Sequence, residues 1–410
     1  MPIKLKNLPP ARALPPSPSK LRWFLFLVIL LLVTLMFRID PLVDKPDGGW
    51  LSALGEGFAV WCAFFVIRAL VYVGDRGVVN GWNTARDERL GLYLRAGRRA
   101  QQVLAVSLFT ALRTPDDKQG VAQRAALKAN NKGLRSQAGW QPSDDGFFHS
   151  RLPVNEGEQP EALLRRGLAQ VLEELVPVLS TLPQKRPLAL LLEIDSSVHE
   201  SVVRGLWQQV WSASGIGQPV TLVEGSGLKV VDQWLDQRIN DQALLLVIAG
   251  QIAPALLADS AEVLVGLLLG NRLTQTTVAP LAFLHRPERQ EQPTREGLAN
   301  ATRQALDWVP VEGAAIEQVW IADSGAQQTL TLGLTLNDVS LPADKKAVLH
   351  DLEGFLGHTG CAAPWVAIAA AADAITAAPE PHLIFCADKA AHARLWCAVV
   401  MPPPLEQLAG

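Results

Sequence analysis

Apolar residues change their spacing along the chain, and each change marks a different kind of element. Trp23–Phe37 is one unbroken apolar run, WFLFLVILLLVTLMF. With Leu21 and Ile39 at its flanks it reaches the roughly 17–25 residues that a bilayer-spanning helix needs. No small-residue cleavage site follows, which disfavours a removable signal peptide. A second apolar run covers Trp50–Gly74, with Glu56 near its start and Arg68 near its end. Both side chains can reach an interface from a tilted helix. A buried core helix is the competing reading of this run. The adjacent span and the polar linker RIDPLVDKPDGG favour a second crossing. Residues 21–74 are therefore expected to form a transmembrane helical hairpin, followed by an amphipathic linker over 75–100.

From about Gln101 short apolar runs alternate with amphipathic stretches. QQVLAVSLFTAL, PLALLLEID, QPVTLVEG, Ala243–Ala249, AEVLVGLLLG, TVAPLAFLHR, IEQVWIAD, HDLEGF, HLIFCAD and ARLWCAVV read as strands. PEALLRRGLAQVLEELVPVLSTL, HESVVRGLWQQVWSAS, Leu228–Ile239, TREGLANATRQALDWV and the Ala-rich TGCAAPWVAIAAAADAI carry helical spacing. SGAQQTLTLGLT opens a helical or irregular segment. Residues 114–157 are polar and punctuated by Gly and Pro, as in a long surface insertion. Continuous apolar strands between helices imply an α/β fold with a mostly parallel sheet covered on both faces. The rhythm of 101–255 returns over 256–410, which points to an internal duplication. Small side chains let neighbours approach closely, so the Ala-rich helix belongs in the middle of the molecule.

Charge adds orientation. Residues 1–20 are Pro-rich and basic, with Lys4, Lys6, Arg12 and Lys20, and are expected to be disordered. Arg76, Arg86, Arg89, Arg95, Arg98 and Arg99 follow the second run, whereas the linker between the runs holds only Arg38 and Lys45. Positive residues stay on the cytoplasmic side. A hairpin with both ends in the cytoplasm satisfies this, and places the soluble body inside the cell. A net charge of −3 gives nucleic-acid binding no electrostatic support. The cysteines Cys62, Cys361, Cys386 and Cys397 show no CxxC and no His/Cys ligand spacing. Neither zinc nor another metal or cofactor is expected from them, and a reducing compartment fits better than a disulfide framework.

One stretch carries candidate chemistry. VEGSGLKVVDQWLDQRINDQALLLVIAG, Val223–Gly250, is a strand end, a Gly-flanked turn, a helix and a strand closing on Gly. Such a turn mounts nucleophiles in many α/β enzymes, yet its apex residue is Glu224. The stretch resembles the thiolase pattern Cys-x-Ser-Gly-Leu, with Ser226, Gly227 and Leu228 matching and Glu224 in the cysteine's place. GFLGHTGCAAPWVAIAAAADAI is similar to the Gly-His-Thr-x-x-Ala-Ala motif of β-ketoacyl synthases. His358 matches its catalytic histidine, and Glu353 stands about where the synthases carry a lysine. IEQVWIADSGAQQTLTLGLTLND resembles the synthase segment Glu-Ala-His-Gly-Thr-Gly-Thr; Gly325 matches and Ser324 holds the histidine position. Cys386 lies near where thiolases carry an acid-base cysteine, but the family's final Gly-rich loop is absent. The resemblance covers roughly Gln101–Val400 and is to the thiolase-like superfamily. It implies two βαβαβαββ halves stacked in five α-β-α-β-α layers. It also implies a homodimer formed through the strand QPVTLVEG.

Claisen chemistry needs a thiolate that accepts an acyl group and donors that polarise the developing oxyanion. Glu224 is a poor acyl carrier. A vestigial site of Glu224, Ser324, His358 and Cys386 implies a pseudoenzyme; Cys361, one helical turn after His358, is a second candidate thiol, with a small buried residue of the Ala-rich helix as the competing reading. Glu224 either bonds the helix N-terminus, where a negative charge is favoured, or is a desolvated general base. His358 is expected to cap or brace the Ala-rich helix. The resemblance then implies a membrane-anchored, inactive protein-binding adaptor in a bacterial inner membrane. Its expected partner is a secreted effector or spike component of type VI secretion. The alternative is an acyl-thioester or lipid enzyme, a decarboxylase or hydrolase, using Glu224 and His358.

Overall fold

The structure is a computed structural model that describes residues 8–37, 49–141, 146–309, 315–339, 347–387 and 394–404. The chain forms two compact units, Met1–Arg95 and Ala96–Gly410.

The first unit contains α1 (Lys20–Phe37) and most of α2 (Gly49–Gly97). The linker between the two apolar runs lies largely outside the described residues. α1 and α2 pack antiparallel. Trp23 stacks edge-on against Trp61 and Phe65, its carbonyl accepts from Trp61 Nε1 at 2.9 Å, and Thr34 lies against Gly57. A Cβ on Gly57 would come within 2.7 Å of Thr34 Oγ1, so the helices meet at a small residue. Both helices are long and apolar enough to cross a membrane. α2 has 49 residues, and at about 1.5 Å per residue it outreaches a hydrocarbon core of about 30 Å. The stretch 75–97 is thus a direct helical continuation of the second apolar run.

Of the tail expected to be disordered, residues 8–19 are described and are held along α2. Asn83 accepts the backbone N–H of Arg12 at 2.9 Å and donates to its carbonyl at 3.0 Å. Arg86 donates to the Pro9 carbonyl and Arg12 lies over the Trp82 ring. Asn83 satisfies both backbone groups as a paired strand would, and so fixes a segment whose composition alone reads as disorder.

The second unit opens with β1 (Ala100–Phe109). The polar insertion that follows holds α3 (Val121–Lys128) and a ribbon of β2 (Arg135–Ser136) with β3 (Phe148–His149). Next come α4 (Pro160–Thr181), β4 (Leu188–Ser196), α5 (Glu200–Ala213), β5 (Val220–Leu222), α6 (Gly227–Gln237), β6 (Leu244–Ile252) and β7 (Val263–Asn271). Beyond them lie β8 (Ala282–His285), β9 (Glu288–Arg289), α7 (Arg295–Asp307), β10 (Gln318–Ala322), α8 (Ala326–Asp338), β11 (Val348–Asp351) and α9 (Leu352–Leu356). A 3-10 turn over Gly360–Ala362, α10 (Ala363–Ala377), β12 (His382–Ala387) and β13 (Leu395–Met401) complete it. HDLEGF was expected to be a strand. It is instead a strand end and a helix start, because Asp351 caps α9 by accepting the Gly354 N–H.

The strands run in the order β11-β10-β12-β13-β8-β1-β7-β6-β4-β5. Take β1, β4, β5, β6 and β7 as strands 1 to 5 of one half, and β8, β10, β11, β12 and β13 as strands 1 to 5 of the other. Each half then has the order 3-2-4-5-1. In both, strands 3, 2 and 4 are parallel and strand 5 is antiparallel to its two neighbours. The duplication is therefore one of topology as well as rhythm. β7 completes the first half, so the junction falls between Asn271 and Ala282 rather than at residue 255. The short connection from β6 to β7 reads in sequence like the start of a new unit.

Alternation along the strands sorts the core into layers. Leu245, Val247 and Ala249 of β6 pack with α6 and α10, whereas Leu244, Leu246 and Ile248 pack with α4 and α5. In the second half Ile384 and Cys386 of β12 face the central helices, and Leu383 and Phe385 face α7 and α8. Three apolar cores thus separate five layers, α-β-α-β-α. α10 sits in the middle, with 12 of its 15 residues buried. Its alanines let the two sheet halves close around it, since methyl-sized side chains suit a helix enclosed on all sides.

Candidate functional site

Two helix N-termini from the two halves meet near the centre of the body. α6 follows an extended stretch, Val223–Ser226, whose Gly225 has φ 135°. A Cβ there would also come within 2.6 Å of Val230 Cγ2, so the turn requires glycine. The start of α6 lies beside α10, with the Gly227 Cβ position 3.8 Å from Pro364 Cγ.

Glu224 is exposed and makes no hydrogen bond or ion pair among the described residues. It neither caps α6 nor sits desolvated as a general base. Glu193, within β4 and beyond the stretch of that strand that pairs with β5, serves the helix instead. Its carboxylate accepts the Gly227 N–H at 3.0 Å and the indole N–H of Trp365 at 2.8 Å. That charge lies where the macrodipole of α6 favours it.

The second cluster forms where β10, α9 and the loop before α10 converge. The loop is stitched down through the backbone of His358. Its N–H donates to the Asp259 carbonyl at 2.7 Å, and its carbonyl accepts from Ala261 N and from Gln251 Nε2. The imidazole turns outward, with the side chain 51% exposed, and Nε2 lies 3.4 Å from Glu353 Oε1. His358 therefore does not cap the Ala-rich helix. Asp323 does. It accepts the N–H of Thr359 at 2.9 Å and of Gly360 at 2.7 Å, and the Thr359 hydroxyl at 3.2 Å. Asp323 follows the last residue of β10 with φ 49°, in the left-handed region. Withdrawal from water pushes its carboxyl up to about 6; Glu353 adds to the rise, and the Thr359 and Gly360 amides and His358 oppose it.

Ser324, expected beside His358, is buried with its hydroxyl 2.7 Å from Thr329 Oγ1 in the first turn of α8. The residue brought to His358 is its neighbour Asp323. β10 ends at Ala322, so the next residue turns toward the His358 loop and the one after it turns away. Glu353 is held by the Gly325 N–H, which donates to Oε2 at 2.8 Å. One ligand atom from each of Asp323, Glu353 and His358 lies within 4.8 Å of the others.

The cysteines stand elsewhere. Cys361 is buried and donates to the carbonyls of Glu193 at 3.4 Å and Gly250 at 3.5 Å. The expected meeting with His358 assumed helical spacing, whereas the helix proper starts only after the 3-10 turn at Gly360. Cys386 is buried in the central core on β12. The segment 388–393 after that strand lies outside the described residues. Cys397 is also buried, and burial pushes its thiol well above the ordinary range. All three of these thiols are buried.

By sequence, no protein-family model and no curated protein matches the chain. Solved structures do match the body. The ishigamide ketosynthase/chain length factor aligns over 74% of this chain and 100% of its own, at TM-score 0.54 and 16% identity. A type II PKS acyl-carrier protein in complex with its ketosynthase (AntDE:AntF) aligns over 74% and 100%, at TM-score 0.55 and 11% identity. The oxazolomycin ketosynthase domain OzmH KS8 of Streptomyces albus JA3453 aligns over 74% and 96%, at TM-score 0.50 and 14% identity. The body therefore has the thiolase-like fold of the ketosynthases. At these identities the likeness is one of fold.

Proposed function

We propose that the protein is a membrane-anchored thiolase-fold protein that has lost acyl transfer and acts by binding another protein. The observation that carries this reading is the exchange at the nucleophile position. Exposed Glu224 stands where the resemblance places a thiol, and Cys361, Cys386 and Cys397 are all buried. An exposed carboxylate cannot replace a thiolate, because an acyl group passed to it gives a mixed anhydride that water removes. The enzyme alternative needs Glu224 and His358 in one desolvated site. Glu224 is exposed and His358 is turned toward Glu353, which favours the silent reading.

Two matched structures join a ketosynthase to a protein partner, an acyl-carrier protein or a chain length factor. This supports a partner-binding use of the fold, and β5 offers a short sheet edge with Leu222 exposed. The helices α1 and α2 support anchoring, with the body in the cytoplasm of a bacterium. The partner class we infer is a secreted effector or spike component of type VI secretion. Deleting the gene is expected to abolish export of the bound effector and leave other effectors exported, and the purified effector is expected to bind the full chain in detergent. Unchanged export of every effector would contradict the partner class.

A further inference from the structure

The cluster of Asp323, Glu353 and His358 combines residues that the resemblance alone would not put together. Where the resemblance places a histidine and a lysine, this chain has Ser324 and Glu353; Asp323, the residue before Ser324, joins Glu353 and the retained imidazole of His358. The three come from the end of β10, from α9 and from the loop leading to the 3-10 turn. They are distant in sequence and converge only through the fold.

Their chemistry is that of a metal ligand set. One imidazole nitrogen and two carboxylate oxygens suit zinc and neighbouring divalent ions. Around such an ion, with bonds of about 2.1 Å, ligand atoms stand roughly 3.4 Å apart. His358 Nε2 and Glu353 Oε1 are already at 3.4 Å, and all three ligand atoms lie within 4.8 Å. The Glu353 oxygen away from His358 accepts the Gly325 N–H, and the two Asp323 oxygens accept the N–H groups of Thr359 and Gly360, the outer-shell support that metal-binding carboxylates use. Among the described residues no lysine or arginine pairs with either carboxylate. Two partly buried negative charges therefore share a single, half-exposed imidazole. Such an arrangement lacks a cation, and the exposed face of His358 leaves a path for one and room for water as further ligand.

We propose that Asp323, Glu353 and His358 bind one divalent cation of the zinc type, tying β10, α9 and the start of the central helix together. The proposal is independent of which protein the surface binds.

The test uses the full chain in detergent, stripped with chelator, and titrated with Zn2+ by calorimetry. Co2+ binding is followed in parallel by visible absorption. One Zn2+ per chain is expected, with a rise in melting temperature. His358→Ala and Glu353→Gln are each expected to weaken Zn2+ binding at least tenfold and to remove the Co2+ bands. His199→Ala, at an exposed histidine outside the cluster, is expected to leave both unchanged. Metal-free melts show that the His358→Ala protein is folded. Zn2+ affinity in His358→Ala within twofold of the parent, or no binding by the parent, would overturn the proposal.

Discussion

At the residue scale the site divides its labour differently from what residue identity alone conveys. His358 was legible in sequence because Gly-His-Thr is a contiguous pattern, and Glu353 because it stands at a fixed offset from it. Asp323 and Glu193 were not. Asp323 lies just past the end of β10, and Glu193 lies within β4 beyond its pairing with β5; which of these residues reaches a neighbouring helix depends on where pairing stops. β10 stops at Ala322 and so exposes Asp323 to two N–H groups of the turn before the central helix. Removing Asp323 leaves these donors unpaired. Asp323→Ala is expected to cost about 1–3 kcal/mol in denaturant unfolding of the metal-free protein. His358→Ala, which removes only an outward side chain, is expected to change stability by less than about 0.5 kcal/mol. The reverse order would restore His358 as the brace.

Two buried histidines carry a pH dependence. Trp320 stacks on His350 and donates its indole N–H to His382 Nδ1 at 3.0 Å. Burial lowers His350 to about 4 and His382 to about 3. A folded pKa below the unfolded value means that the unfolded chain takes up the proton first. Acid therefore favours unfolding from about pH 6.5 down to the folded pKa. Asp323, raised to about 6, and Glu288, raised to about 7, act in the opposite sense over part of that range. A single substitution isolates one contribution. His382→Gln, which keeps an acceptor for Trp320, is expected to reduce the loss of stability between pH 5.5 and pH 4 by about 1.4 kcal/mol per pH unit. Parallel stability–pH curves for parent and variant would exclude a buried neutral His382.

At the element scale most strands and helices could be read from spacing, because each buries a face with its own period. Boundaries were legible only where a breaker stands. α2 has no proline between Gly74 and Gly97, and its glycines Gly77, Gly81 and Gly91 do not stop it, so the apolar run and the polar stretch after it form one helix. The tail is the opposite case. Its prolines prevent a helix but not a fixed path, and Asn83 fixes it from a distance in sequence. That path runs beside the polar half of α2, which puts the tail and the residues after the second apolar run on one side. Reporter fusions after Gly97 and after Gly410 are accordingly expected to be active only as cytoplasmic reporters. A periplasmic signal at either position would rule out the two-span hairpin.

At the scale of the whole molecule, the repeated strand order explains why one half resembles the other without shared motifs. What recurs is the arrangement 3-2-4-5-1 around a pair of central helices. The chemistry set on that frame is specific to single positions and is free to change while the frame persists. The frame was therefore readable from apolar rhythm over some three hundred residues, whereas the fate of the site turned on a few side chains. The central claim is that this frame no longer carries an acyl group. Intact mass spectrometry of the full chain after incubation with short- and long-chain acyl-CoA tests it most directly. The protein is expected to keep its unmodified mass with no release of CoA. An acyl adduct that forms with one equivalent, and that disappears in Glu224→Gln or in Cys361→Ala, would contradict it.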